Sequence, residues 1–215
     1  IDHLGLAVVL SRHLRDFRTR YDHVLVDEMQ DFGTLELEIV RTLVKEGPND
    51  LFLCGDLAQR VQVKHQALEV AGIVIPKADA VQIKKNYRNS REILKVARHV
   101  LFGTLATLEM PPGEVELLEP EYSNFSSPLP VALHADSLGH EFAFAYQMAS
   151  RAASRGSVCI AIAGYSLRDI QEFGKRCDLP VLDGMTALEN GRVFLSDLEQ
   201  TKGFEFDEMY ILNCR

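Results

Sequence analysis

Two adjacent carboxylates, Asp27 and Glu28, close the short apolar run Val24-Leu25-Val26 within the stretch YDHVLVDEMQDF, Tyr21 to Phe32. An apolar, β-branched run bounded by polar residues predicts a buried strand. In an open α/β sheet, ligands sit outside the carboxyl ends of the strands, so both acids are delivered to the rim where chemistry is done. A hard cation such as Mg²⁺ is usually held by one or two carboxylates together with waters and phosphates. Asp27 then faces the metal side and Glu28 polarises an attacking water. The alternative is a solvated strand end, and the dipeptide alone does not separate the two.

Three later stretches add groups of matching chemistry. Leu51 to Gln59 reads LFLCGDLAQ, a second apolar run ending in the polar turn Gly55-Asp56 and followed by Gln59. An amide can donate to a phosphate oxygen and accept from a water. Lys84 to Ser90 reads KKNYRNS and carries Arg88. A guanidinium fork suits phosphate oxygens and stays charged, although a surface arginine pairing with a carboxylate is the plainer reading. Phe194 to Phe206 reads FLSDLEQTKGFEF, with Gly203 and Glu205 in a KG-x-E arrangement.

In this order the four stretches resemble motifs II, III, IV and V of the superfamily 1 DNA helicases of the UvrD/Rep type. The resemblance implies an α/β fold of two RecA-like parallel-sheet lobes, both incomplete over this chain. Residues 1–79 would be the C-terminal part of the first lobe and 80–215 the second, with a short Pro/Ser-rich excursion at 109–130. It implies ATP and Mg²⁺ as cofactors. Asp27 would hold Mg²⁺ through water, Glu28 would activate water, Gln59 would sense the γ-phosphate and Arg88 would contact it. Gly203 would let the backbone approach the nucleotide and Glu205 would bond the ribose. Lys64, His65, Thr201 and Lys202 would touch nucleic acid.

The implied activity is an ATP-dependent DNA helicase or translocase of the cytoplasm. It would act on single-stranded or partly duplex DNA, with a protein partner in a repair or defence complex. The family usually follows the motif III glutamine with aromatic rings that stack on bases. Here Arg60-Val61-Gln62-Val63-Lys64-His65-Gln66 follows, with His65 as its one ring. Glu199 stands where the family often has histidine. No stretch reads G-x-x-x-x-G-K-[ST], the phosphate-cradling loop. Family order places that loop before Ile1 and the motif VI arginine after Arg215, so this piece by itself is expected to bind ATP weakly and hydrolyse it negligibly. Two alternatives stay open: a DNA-stimulated NTPase without strand separation, and a non-catalytic interaction domain.

The bulk properties bound these readings. The chain has 215 residues, 47% of them apolar, enough for a real core, and its net charge of −8 lacks the global basic footprint of many nucleic-acid binders. None of the four cysteines forms a CxxC pair, and Cys54 and Cys159 fall in strand-like apolar runs, which predicts buried, reduced thiols. No apolar run approaches the roughly 20 residues of a bilayer span.

Periodicity predicts an amphipathic helix over 3–17, with Leu6, Val9, Leu10, Leu14 and Phe17 as its apolar positions and Arg12, Arg15, Arg18 and Arg20 solvated. A second helix is predicted from an N-cap at Thr34 to Gly47-Pro48. A third strand is expected at 81–84, then a helix capped by Asn89 with Glu92 as the reciprocal partner. The C-terminal part reads as strand 131–134, helix 138–153, strand 157–163, a helix capped by Ser166 and Asp169, and strands at 180–182, 192–196 and 209–212.

Overall fold

The apolar triplet ending at Val26 and the triplet ending at Leu53 do form strands, and they pair with each other. In the computed structural model, which describes residues 3–13, 21–56, 59, 64–105, 125–184, 188–189 and 191–214, the chain divides into two compact units, Ile1–Pro130 and Val131–Arg215. The boundary read from motif order lies earlier, at 79/80. Both units are of the α/β class with parallel strands, as RecA-like lobes require.

In the first unit, β1 (Val24–Val26) and β2 (Leu51–Leu53) run parallel, with Val24 opposite Leu51 and Val26 opposite Leu53. Parallel neighbours need a crossover, and α2 (Thr34–Thr42) supplies it. Leu37 of α2 is fully buried with Ala71 and Ile73 beneath Leu51 and Leu53. Ile39 of α2 packs on Ala7 of α1 (His3–His13). The expected apolar positions Leu6, Val9 and Leu10 are exposed, and the buried contact of that helix is Ala7; residues 14–17, with Arg18 and Arg20, lie outside the described residues.

The N-cap of α2 is Gly33, not Thr34. Gly33 is extended, and its N–H donates to the Glu36 carboxylate at 3.0 Å. Thr34 is already helical, and its hydroxyl spans to the 65–67 segment, donating to the His65 carbonyl at 3.1 Å and accepting the Ala67 N–H at 3.0 Å. The helix also stops at Thr42, well before Gly47-Pro48. Arg41 instead reaches over the following turn to Asp50 at 2.6 Å.

The strand expected at 81–84 does not form. A strand needs a neighbour to take its N–H and C=O groups. Among the described residues none pairs with this segment, and Val81 and Ile83 are 85% and 80% exposed. The helix after it, α3 (Arg91–Leu105), is capped by Ser90, whose hydroxyl accepts the Ile93 N–H at 3.3 Å. Asn89 is not the cap: its own N–H donates to Asn86 Oδ1 at 2.8 Å. Glu92 does not close a capping box either, because its carboxylate accepts the Ser127 N–H at 2.9 Å.

In the second unit a three-stranded parallel sheet has the order β4 (Val193–Ser196), β3 (Val158–Ile162), β5 (Glu208–Leu212). The central β3 is buried on both faces, which explains its unbroken apolar sequence VCIAI. Val158, Ile160 and Ile162 point to a face covered by Ala145, Ala149 and Ala152 of α4 (Leu138–Ala152) and Ile170 of α5 (Leu167–Cys177). Cys159 points to the other face, against Leu182 and Phe194.

Ser166 and Asp169 cap α5 reciprocally, as expected. Val181 makes a single bridge to Leu195 and no longer strand. Residues 131–134 form no strand and are exposed, with no partner strand among the described residues. Among those residues, too, no helix is long and apolar enough to cross a membrane.

Candidate functional site

The ladder between β1 and β2 runs on past both strands. Cys54 N–H donates to the Val26 carbonyl at 2.8 Å, and Met29 N–H donates to the Cys54 carbonyl at 2.9 Å. Asp27 and Glu28 are held between these two bonds, at the carboxyl end of the sheet. Asp27 Oδ1 accepts the Glu28 N–H at 2.9 Å. Glu28 has φ 54° and ψ 37°, the left-handed region, and both acids are exposed. A non-glycine residue there costs roughly 1–2 kcal/mol. Such outliers persist only where their surroundings impose them, and they cluster at functional sites.

Gln30 tethers the Glu28 side chain from within the turn. It lies in the single turn Met29–Asp31 and is 1% exposed. Its Nε2 donates to the Glu28 carboxylate and its Oε1 accepts the Asp56 N–H at 3.0 Å. Asp56 Oδ2 in turn accepts from Gln59 Nε2 at 2.9 Å. A hydrogen-bonded series therefore runs Glu28, Gln30, Asp56, Gln59, and ties the two strand ends together. Gln66 braces the same turn, donating to the Met29 and Phe32 carbonyls at 2.8 and 3.0 Å. Sequence reasoning brought Glu28 and Gln59 to one rim but passed over Gln30. The available signal was a long amide two positions after the acid, at the mouth of a buried turn.

Lys64 and His65 come to the same unit by a different route. Lys64 Nζ pairs with Glu36 at 2.8 Å. Partial burial works to raise the Glu36 carboxyl, but the Lys64 hydrogen bond and charge and two backbone N–H groups hold it below the ordinary range. His65 presents its backbone to α2, where its carbonyl accepts the Thr34 N–H at 3.0 Å, and its ring is exposed. Residues 60–63, the rest of that basic stretch, lie outside the described residues.

Arg88 occupies the turn before α3. Asn86 Oδ1 accepts both the Arg88 N–H at 3.1 Å and the Asn89 N–H at 2.8 Å, which fixes the backbone and leaves the Arg88 side chain exposed. Cys54, predicted buried, is exposed just past the end of β2. Cys159 is buried as predicted, and burial pushes its thiol up to about 12.

In the second unit the KG-x-E stretch forms the turn between β4 and β5. Asp197, buried at the end of β4, accepts the Gln200 N–H at 2.7 Å. Thr201 Oγ1 donates to the Leu198 carbonyl at 2.7 Å, and Lys202 N–H to the Glu199 carbonyl at 3.2 Å. Gly203 has φ 85°, open to glycine at no steric cost. Phe204 and Phe206, ring centroids 6.2 Å apart, pack beneath the sheet with Cys159 and Phe194. The alternation turns Glu205 outward, where it is exposed. Asp197 was not singled out by sequence reasoning. Its signal was an acid directly after an apolar run, the same pattern that marked Asp27.

Among the described residues no group of three or more His, Cys, Asp or Glu could hold a metal ion. Asp27 offers one exposed carboxylate at a strand end, a donor set that fits Mg²⁺ held mostly by waters and phosphates and not a cage made of protein.

Parts of the chain are similar to known helicases. Residues 6–62 match the UvrD/REP helicase N-terminal domain. The chain is 31% identical over 137 residues to a probable DNA helicase II homolog of Mycoplasma genitalium, covering 60% of this chain and 19% of that protein. It is 27% identical over 112 residues to the ATP-dependent DNA helicase UvrD1 of Mycobacterium leprae, 46% of this chain and 14% of that protein. It is 36% identical over 61 residues to an ATP-dependent helicase/nuclease protein of Carboxydothermus hydrogenoformans, 28% of this chain and 5% of that protein. The chain thus spans about a fifth or less of these relatives. Over residues 6–62, which include the parallel strands β1 and β2 and the acidic pair at the strand ends, the chain is similar to the N-terminal domain of UvrD/REP helicases.

Proposed function

We propose that this chain supplies nucleotide-hydrolysing groups to an ATP-dependent DNA motor that moves on single-stranded DNA. The observation that supports it best is the hydrogen-bonded series from Glu28 through Gln30 and Asp56 to Gln59, built where parallel strands end. The names of the relatives, helicases described as ATP-dependent or as acting on DNA, support the same reading. Phosphoryl transfer needs little covalent chemistry from a protein and depends on positioning and on charge placed around the γ-phosphate. Asp27 would hold Mg²⁺ through water, and the bound ion would supply charge neutralisation at the phosphate oxygens. Glu28 accepts the proton of the attacking water. Gln59 orients that water against the γ-phosphate, and Arg88 takes charge from the phosphate oxygens. Thr201, Lys202, Lys64 and His65 are the nucleic-acid contacts.

One observation favours a second reading, a DNA-stimulated NTPase of a repair or defence complex that does not separate strands. The Lys64 ammonium is bound to Glu36 within its own unit, which lowers what it offers a DNA phosphate. The test is ATP turnover and strand separation by the full-length protein, wild type against Glu28→Gln, with and without single-stranded DNA. Loss of a general base costs about 10²–10⁴ in rate. We expect DNA-stimulated turnover in wild type, a loss of that order in Glu28→Gln and retained ATP binding. Stimulated turnover without strand separation selects the second reading, and an inactive wild type refutes both.

A further inference from the structure

We infer that Gln30 is a positioning residue for hydrolysis: it sets the Glu28 carboxylate and links it to the loop that carries Gln59. The inference rests on the proposed function above and adds to it a residue outside the acid pair.

Three observations carry it. Gln30 is 1% exposed, yet both ends of its amide are used, one on the Glu28 carboxylate and one on the Asp56 N–H. A buried amide with two directional bonds has one orientation, so it fixes both partners at once. Second, Glu28 is held in the left-handed region. Its side chain therefore leaves the strand end towards the turn, where Gln30 Nε2 donates to its carboxylate. Third, the neighbouring backbone is shaped around the amide. A Cβ at Gly55 would lie 2.6 Å from Gln30 Oε1 and 2.6 Å from Met29 Cγ, so the β2 loop comes this close only because residue 55 has no side chain.

The consequence is a two-way link. Movement of the loop bearing Asp56 and Gln59 changes the bond that Gln30 can offer Glu28, and a change at the Glu28 carboxylate is felt at the Asp56 amide. The base and the γ-phosphate sensor are then set together and not independently. Gln30 touches neither substrate nor metal in this account, and its effect passes through Glu28.

The experiment compares wild type, Glu28→Gln, Gln30→Met and Gln30→Glu in the full-length protein. It reads kcat and KM for ATP with single-stranded DNA present, together with hydrogen exchange at the Asp56 amide. Gln30→Met keeps the volume and removes both bonds. It should lower kcat at least tenfold with KM within twofold, and speed exchange at Asp56 at least tenfold. Gln30→Glu keeps an acceptor for Asp56 but removes the donor to Glu28. It should lower kcat at least tenfold with KM within twofold while exchange at Asp56 stays within threefold of wild type. A structural role alone would tie the loss of kcat to faster exchange at Asp56.

Unchanged kcat in folded Gln30 variants, with wild type active and Glu28→Gln dead, would overturn the role of Gln30 and leave the motor standing. If Gln30→Met fails to fold, kcat of Gln30→Glu beside its Asp56 exchange decides alone. An inactive wild type overturns the motor reading and this inference with it.

Discussion

Single residues in this chain divide by whether their neighbours or their own backbone constrain them, and two glycines show the difference. Gly55 has an ordinary backbone but no room, with the Gln30 amide oxygen, Met29 Cγ and the Met29 backbone nitrogen within 3.2 Å of any added Cβ. Gly203 has room on every side but a φ of +85°. Overpacking a fixed turn costs about 1–3 kcal/mol, whereas a lone left-handed alanine costs about 1–2 kcal/mol. Gly55→Ala should therefore lower thermal stability and also depress ATP turnover, because the displaced group is Gln30. Gly203→Ala should cost stability by a similar amount with no steric rearrangement of its turn. Differential scanning calorimetry beside ATPase assays on the two variants separates the cases. Cys159 gives the matching test of burial. Its thiol titrates near 12 when folded against an ordinary 9.0, so the folded state holds its proton more tightly. Stability from this group is complete below about 9 and is lost as pH rises from there towards 12. Chemical denaturation of wild type and Cys159→Ala over that range should show the wild type falling more steeply, and thiol labelling at pH 8 should reach exposed Cys54 and Cys214 well before Cys159.

At the scale of elements, what could be read from the chain was whatever is local. The Ser166–Asp169 capping box needs only residues three apart, and it forms as written: Asp169 N–H donates to Ser166 Oγ at 3.3 Å and Ser166 N–H donates to Asp169 Oδ2 at 3.0 Å. Removing such a cap costs about 0.5–2 kcal/mol, so Ser166→Ala should destabilise the second unit by about that amount, read by urea denaturation. The Ser166 hydroxyl and N–H hold the Asp169 carboxyl below the usual range. A lowered folded value means that its contribution is present above the unfolded value and disappears as pH falls through the folded one. The gap between wild type and Asp169→Asn should therefore close in acid. Strands were legible only where a partner exists. Val158 to Ile162 was unmistakable because burial on both faces writes a continuous apolar run. The segments 81–84 and 131–134 carry similar alternation but no ladder among the described residues, and alternation cannot report whether a neighbour is there. The α2 cap shifted from Thr34 to Gly33 for a related reason. The threonine hydroxyl is engaged by residues 65–67, a contact thirty positions away that no local pattern encodes.

At the scale of the whole chain, the order of the acidic and basic stretches announced the α/β class and the likeness to helicases, because motif order survives even where single strands are misjudged. It did not announce Gln30, because an amide becomes informative only once the two loops it joins are seen side by side. The chain also divides into two units, and Val131–Arg215 contains everything that a small α/β unit needs within itself. Its central strand is covered on one face by α4 and α5 and on the other by Leu182 and Phe194, with Phe204 and Phe206 packed against them. Ile160 lies at the middle of that strand with no exposed surface. Truncating a buried isoleucine to alanine costs about 2–5 kcal/mol, from lost transfer energy and the cavity left behind. Single domains are stable by only about 5–15 kcal/mol, so that loss is a large share of what a unit of this size can hold. Residues 131–215 expressed alone should unfold cooperatively on heating, with near- and far-ultraviolet circular dichroism signals disappearing together. Ile160→Ala in that fragment should lower the midpoint sharply or abolish the transition. A fragment that shows helical signal but no cooperative transition would mean that the core around β3 is not sufficient by itself, and that residues before 131 complete it.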